Sequence, residues 1–179
     1  MIEMTATPAP IGTVIGPDSF AIQHLFAAKA IEWRDAGLNV VGLIGEAHAL
    51  PDRSCAAGLL RDIVTGKSFL MYLETPPAHT SCHLDGEGVE SACATLLDQI
   101  AESDLVVLSK FGKLEAQGGG LAAAFQAAIA AGVPVLTTVS EKHYEAWWKV
   151  APDAVRMRAD KQAIEEWWQA AHAGEHAAS

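Results

Sequence analysis

The sequence is short of the residues that would staple it, carry it through a membrane or fix it to a nucleic acid. Its three cysteines are an odd number in 179 residues, which makes no disulfide framework, so reduced thiols are expected. No window reaches the roughly 20 apolar residues of a membrane span, and the opening MIEMTATPAP has neither the basic end nor the apolar length of a signal peptide. A cytoplasmic protein that does not engage membranes is expected. Basic residues are scarce too: 12 Lys and Arg against 22 Asp and Glu give a formal net charge of −10. That balance argues against a nucleic-acid partner and confines any anion site to a local cluster. There is no internal repeat or low-complexity tract. Half of the residues are hydrophobic, enough for one domain with a substantial core.

The pattern of what is present alternates strands and helices. Ile11 to Ile15 reads as a strand ending at Gly16-Pro17-Asp18-Ser19. A helix follows to about Ala36, with Asp18 or Ser19 able to cap it and Gly37 placed to end it. Leu38 to Ile44 is the next apolar strand, giving a βαβ unit. Thr65-Gly66 between two apolar runs predicts a hairpin. After a proline-containing loop, Asp85 is placed to cap a helix whose Val89, Ala92, Cys93, Leu96, Leu97 and Ile100 recur at spacings of three and four. Leu105 to Leu108 is too short for a helix and reads as a strand buried on both faces. Beyond it come a polar loop, a helix from about Leu121 closed by Gly132, and the strand Val133 to Val139. Ser140 is placed to cap a short helix bearing Trp147 and Trp148, and Pro152 breaks the chain. The run MRADKQAIEEWWQAAH predicts a final helix with Ile164, Trp167, Trp168 and Ala171 on one side. These elements predict a three-layer α/β fold with a mostly parallel sheet: an α/β domain over residues 1–150 and a helical tail over 151–179, available for docking on the domain or on a second copy.

The strongest functional pointer is DLVVLSKFGKLEAQGGG, residues 104–120. Ligands of open α/β sheets bind beyond the carboxyl ends of the strands. Here that position carries Ser109, Lys110, Lys113 and Glu115, followed by Gly118, Gly119 and Gly120, whose N–H groups are suited to an anion at the N-terminus of the next helix. The bland alternative is a solvated loop with a weak ion pair. A strand running into Gly16 and then a helix is also the setting of a phosphate-binding P-loop, GxxxxGK[ST]. Counting from Gly16, Ala21, Ile22 and Gln23 stand where the second glycine, the lysine and the hydroxyl belong. The strand before Ser109 likewise lacks the terminal aspartate that holds magnesium in such proteins. The topology is P-loop-like, and the phosphate loop is degenerate.

Cys82 and His83 precede the Asp85 cap, where a helix N-terminus lowers a thiol pKa. With His48, Cys55 and His79 they offer a weak soft-metal possibility at no standard zinc spacing. A Cys nucleophile with His83 or His143 as base is weaker still. Cys93 reads as inert core, and the two Trp pairs as packing, with at most one ring of each pair in a given core face.

The segment SDLVVLSKFGKLEAQGGG, the run GVPVLTTV, the tetrad Cys82-His83-Leu84-Asp85 and Cys55 together resemble a bacterial family of unknown function whose genes lie near molybdate-transport operons. The resemblance covers about residues 11–139. That family is in turn similar to thermophilic-type nucleoside triphosphatases, whose DEIGKxE segment aligns with 109–115, so that Ser109 and Lys110 replace two acids. The chain departs from the family's Asn at Ser109 and its Arg at Gly119 and His83. What the resemblance implies is a site that attracts a small anion, molybdate or a related oxyanion, in a binding or accessory protein of molybdenum homeostasis; Lys110 and Lys113 are expected to supply charge, Ser109 a hydroxyl and the turn Gly16 to Ser19, with Asp18, backbone donors, and Cys82 and His83 are further ligand-binding candidates. The rival expectations are an atypical nucleoside triphosphatase or phosphotransferase using a nucleotide with Mg, in which Lys113 touches phosphates and Glu115 orients water, and a non-catalytic interaction protein.

Overall fold

The structure, a computed structural model, describes residues 10–46, 59–70 and 86–177. In chain order these form β1 (Ile11–Ile15), α1 (Ser19–Asp35), β2 (Val40–Glu46), β3 (Leu59–Asp62), β4 (Ser68–Leu70), α2 (Gly86–Ile100) and β5 (Leu105–Leu108). Then come α3 (Lys113–Ala116), α4 (Ala122–Ala131), β6 (Val135–Thr138), a 3-10 turn (Glu141–His143), α5 (Tyr144–Val150), β7 (Val155–Arg158) and α6 (Lys161–Ala177). The strands make one seven-stranded sheet in the order β4-β3-β2-β5-β6-β1-β7. β2, β5, β6, β1 and β7 run parallel, and the β3–β4 hairpin adds antiparallel to the β2 edge. Because β5 and β6 lie between β1 and β2, the first crossover spans two strands.

Two apolar layers sandwich the sheet. One face packs α1 and α6 through Ile22, Phe26, Trp33, Ile164 and Trp168 over Val14, Val40 and Val107. The other packs α2, α4 and α5 through Leu96, Phe125, Ala128 and Trp147 over Val41, Val106 and Val135. Burial on both faces explains why the central strands are continuous apolar runs rather than alternating ones. The three-layer α/β fold with a mostly parallel sheet is therefore as the sequence predicts, and it is compatible with a P-loop-like topology. No helix among the described residues is long and apolar enough to cross a membrane.

Differences from expectation concentrate at the C-terminal end. The final helix starts at Lys161 rather than near Met157, since Val155–Arg158 pairs with β1 as an edge strand. The segment read as a tail thus supplies one strand of the sheet and one helix of a layer. Both Trp167 and Trp168 are buried, each against a different neighbour. Trp168 meets Trp33 at 5.7 Å, whereas Trp167 lies over Gly12, where an added Cβ would come within 2.7 Å of the indole. Lys29, almost fully buried on α1, binds Glu165 of α6 at 2.6 Å, and Trp33 Nε1 donates to the same oxygen at 3.0 Å. Burial pushes the Glu165 carboxyl up, but the hydrogen bonds from Lys29, Gln169 and Trp33 outweigh it and hold the pKa below the usual carboxylate value. The apolar stripe of α6 is spent on the chain's own core.

Strand bounds shift by a residue or two elsewhere. β2 is Val40–Glu46 rather than 38–44, and β6 is Val135–Thr138 within the expected 133–139. Such offsets are ordinary at strand ends.

Candidate functional site

The carboxyl ends of β1, β5 and β6 meet at one edge of the sheet, and the two turns that leave β1 and β5 are built differently. After β1, Asp18 caps α1: its carboxylate accepts from Phe20 N at 3.1 Å and Ala21 N at 3.0 Å. These are two of the donors that a phosphate would need at this helix terminus. The Asp18 carboxylate already occupies the place, so the turn Gly16 to Ser19 does not offer these donors to an anion as expected, and the side chains that follow are Ala21, Ile22 and Gln23 rather than Gly, Lys and a hydroxyl. The residues present do not fit a nucleotide with Mg at the P-loop position.

After β5 the chain stays tied to the core for one more step. Phe111 N donates to Thr138 O at 2.8 Å, and the Phe111 ring packs on Trp147 at 5.1 Å and on Phe125 at 5.7 Å. Trp147 is itself fixed by its Nε1 donating to Thr13 Oγ1 at 3.0 Å. Ser109 is buried and its carbonyl accepts from Gln23 Nε2 at 2.7 Å, while Gln23 Oε1 accepts from Gly45 N at 2.8 Å. Gln23 therefore ties α1 to the ends of β5 and β2. Sequence reasoning missed this role; the signal was a polar residue beside the apolar stripe of α1.

The loop that follows is more ordered than the sequence suggests. Lys113–Ala116 form a helical turn rather than open loop. Glu115 Oε1 accepts from Gly112 N at 3.0 Å and Oε2 from Leu121 N at 3.3 Å, so the side chain clasps the loop at both ends. Burial raises its pKa, against which the N–H groups of Gly112 and Leu121 and the charge of Lys110 work. Glu115 acts as a structural clasp, in contrast to the expected ion-pairing or water-orienting group. The glycines also differ from expectation. Gly118 N donates to Glu115 O, Gly119 N to Leu114 O, and Gly120 N to Glu90 Oε1 at 2.9 Å. Their donors are engaged inside the loop and are not offered to an anion. Gly120 has φ +58°, and an added Cβ would lie 2.0 Å from Glu115 Oε2, so the clasp requires glycine there.

Beside this clasped loop lies a cavity of about 700 Å³. Ser19, Ser109, Lys110, Lys113, Glu115, Glu141, Lys142 and His143 line it, the last three arriving from the turn after β6. Leu60, Val89, Leu114 and Leu121 form apolar wall. Among the described residues neither Lys110, Lys113 nor Lys142 makes a salt bridge. A second concavity of about 440 Å³ beside Gly16 and Pro17 shares Ser19 and Lys110 with the first. The structure thus brings Ser19, Ser109, Lys110, Lys113 and Glu115 together, leaves Gly118–Gly120 out of the lining, and adds Glu141 and Lys142. His143 Nδ1 lies 2.7 Å from Ser140 Oγ; among the described residues the remaining thiol, Cys93, is buried in α2, and burial pushes its pKa up. It is core, as expected. Cys55, Cys82, His83 and Asp85, with His48 and His79, lie outside the described residues. Among the described residues no three His, Cys, Asp or Glu side chains group to hold a metal.

The parallel order, the βαβ crossovers and the crevice at the strand ends make an α/β protein compatible with a P-loop-like fold. The chain belongs to the family described as protein of unknown function DUF2478, whose family model matches residues 11–167. It is 34% identical over 151 residues to the Molybdenum import ATP-binding protein ModC 2 of Bradyrhizobium diazoefficiens, a match covering 83% of this chain and 17% of that protein's length. The chain therefore corresponds to a small part of that relative. No solved structure matches it significantly.

Proposed function

We propose that this is a cytoplasmic protein that binds a small oxyanion, molybdate or a related species, and serves molybdenum homeostasis as a binding or accessory protein. The observation that carries the reading is the meeting of Lys110 and Lys113, both without a salt bridge among the described residues, with Ser109 at the mouth of a cavity at the carboxyl ends of the strands. In a chain of net charge −10, a local cluster of cations is a feature that recruits anions. Two acids share the lining, Glu115 and Glu141, against the three lysines Lys110, Lys113 and Lys142, and both oxygens of Glu115 are engaged by the backbone N–H groups of Gly112 and Leu121. The molybdenum import named in the ModC 2 relative supports the choice of oxyanion.

A nucleoside triphosphatase is the competing reading. The ATP-binding role in that relative's name favours it, while the Asp18 cap and Ser109 in place of an acid weigh against it. A protein that works only through contacts with a partner is the third. Thermal shift and calorimetry with molybdate, tungstate, sulfate, ATP and GTP, each with and without magnesium, separate the three. Stabilisation by oxyanions alone supports the proposal. Stabilisation by nucleotide and magnesium with phosphate release overturns it in favour of the enzyme, and no shift with any of them overturns it in favour of the interaction protein.

A further inference from the structure

We infer that the cavity takes an organic anion, one with a compact oxyanionic head and an apolar body, lying across the strand ends from β6 toward β3. The inference rests on the anion-binding reading above and adds the class of ligand. Size is the first support. A bare tetrahedral oxyanion displaces on the order of three waters of about 30 Å³ each, a small fraction of the roughly 700 Å³ of this open cavity. Pockets for drug-sized organic ligands fall at about 300–1,000 Å³.

The second support is how the wall is divided. Lys142 comes from the turn after β6 and Lys110 from the end of β5, whereas Leu60 lies on β3 and Val89 on α2. β6 and β3 are three places apart in the sheet, which at about 4.8 Å per strand is roughly 14 Å. Lys110 and Lys142, with Glu141 beside the latter, thus lie toward one end of the lining and Leu60 and Val89 toward the other, with Lys113, Leu114 and Glu115 between them. A ligand charged throughout would leave Leu60 and Val89 facing its charges; one apolar throughout would leave the lysines unmatched. The third support is the closure of the α1 terminus by Asp18. It keeps the head off the usual phosphate position and on the β5 and β6 side.

The test uses the full chain and a series with one head and a growing body: inorganic phosphate, phenyl phosphate and 1-naphthyl phosphate, with 1-naphthol as the body alone. Calorimetry is expected to give at least a tenfold tighter Kd for 1-naphthyl phosphate than for inorganic phosphate, and no measurable binding of 1-naphthol. Lys110→Gln weakens every phosphate in the series, and Leu114→Asn reduces the advantage of the aryl esters. Intermolecular NOEs from the naphthyl ring to the methyl groups of Leu60, Val89 and Leu114 read the same contact without any substitution. Equal affinity for inorganic and aryl phosphates, or aryl binding without those NOEs, overturns the organic-anion inference while the oxyanion reading stands. If no anion binds at all, both fall.

Discussion

At the carboxyl end of β1 a carboxylate faces outward and closes the helix that follows; at the carboxyl end of β5, two places along the sheet, a carboxylate is drawn inward and the lysines are left to line a cavity. Asp18 accepts from Phe20 N and Ala21 N, and Glu115 accepts from Gly112 N and Leu121 N. Both acids bind backbone donors, yet the first occupies a place where an anion would sit and the second builds a place where one can. The difference shows that one and the same contact, a carboxylate on backbone N–H groups, can close one strand end of a sheet and leave a cavity at another.

The comparison breaks most severely at Gly120. Gly120→Val forces a side chain into a left-handed conformation and against Glu115 Oε2, and is expected to cost about 2–3 kcal/mol in urea denaturation. Loss of the clasp should also lower anion affinity. A stability change below about 0.5 kcal/mol, the range of ordinary surface substitutions, would mean that the loop is not held as described. Asp18→Ala removes a cap and is expected to cost about 1 kcal/mol, with anion affinity kept within about twofold because Asp18 is outside the cavity lining. A gain in affinity for phosphate would show instead that the carboxylate had been screening a working helix-terminus site.

The smallest effect is a pH dependence. Glu115 has a folded pKa raised above its unfolded value, chiefly by burial, so its neutral form favours the fold. That contribution is full below the unfolded pKa of about 4.3 and is lost as pH rises from there through the folded value. Glu115→Gln should flatten this limb of the stability profile. Glu165 works in the opposite sense: its pKa is lowered, so its contribution is present above the unfolded pKa and is lost as pH falls through the folded one. Denaturation midpoints of Glu115→Gln and Glu165→Gln against pH distinguish the two groups; profiles that change in the same direction would contradict both assignments.

Much of this was legible in the sequence where the signal is local. The buried run Leu105–Leu108, the Thr65-Gly66 hairpin and the spaced apolar positions of α2 and α6 announce themselves, because strands buried on both faces and amphipathic helices leave a pattern in neighbouring residues. β7 does not. Val155 and the two arginines of VRMR are exposed on a sheet edge, so no apolar run marks it, and its pairing with β1 joins residues far apart in the chain. The site divides in the same way. Ser109, Lys110 and Lys113 are readable from a strand running into a charged loop, whereas Lys142 and Gln23 reach the cavity from other elements and need the fold to place them. The inward role of Glu115 was hidden for a different reason: a carboxylate beside two lysines reads as an ion pair, and only the positions of Gly112 and Leu121 show that its partners are backbone.

Isothermal titration of molybdate into the native chain, into the Lys110→Gln/Lys113→Gln double variant and into Asp18→Ala tests the central claim most directly. The lysine pair should account for roughly tenfold or more of the affinity, about 1.4 kcal/mol, with thermal stability nearly unchanged, and the Asp18 variant should bind as the native chain does. Molybdate binding that survives loss of both lysines and responds instead to Asp18 would contradict the account, and would put the anion back at the end of β1.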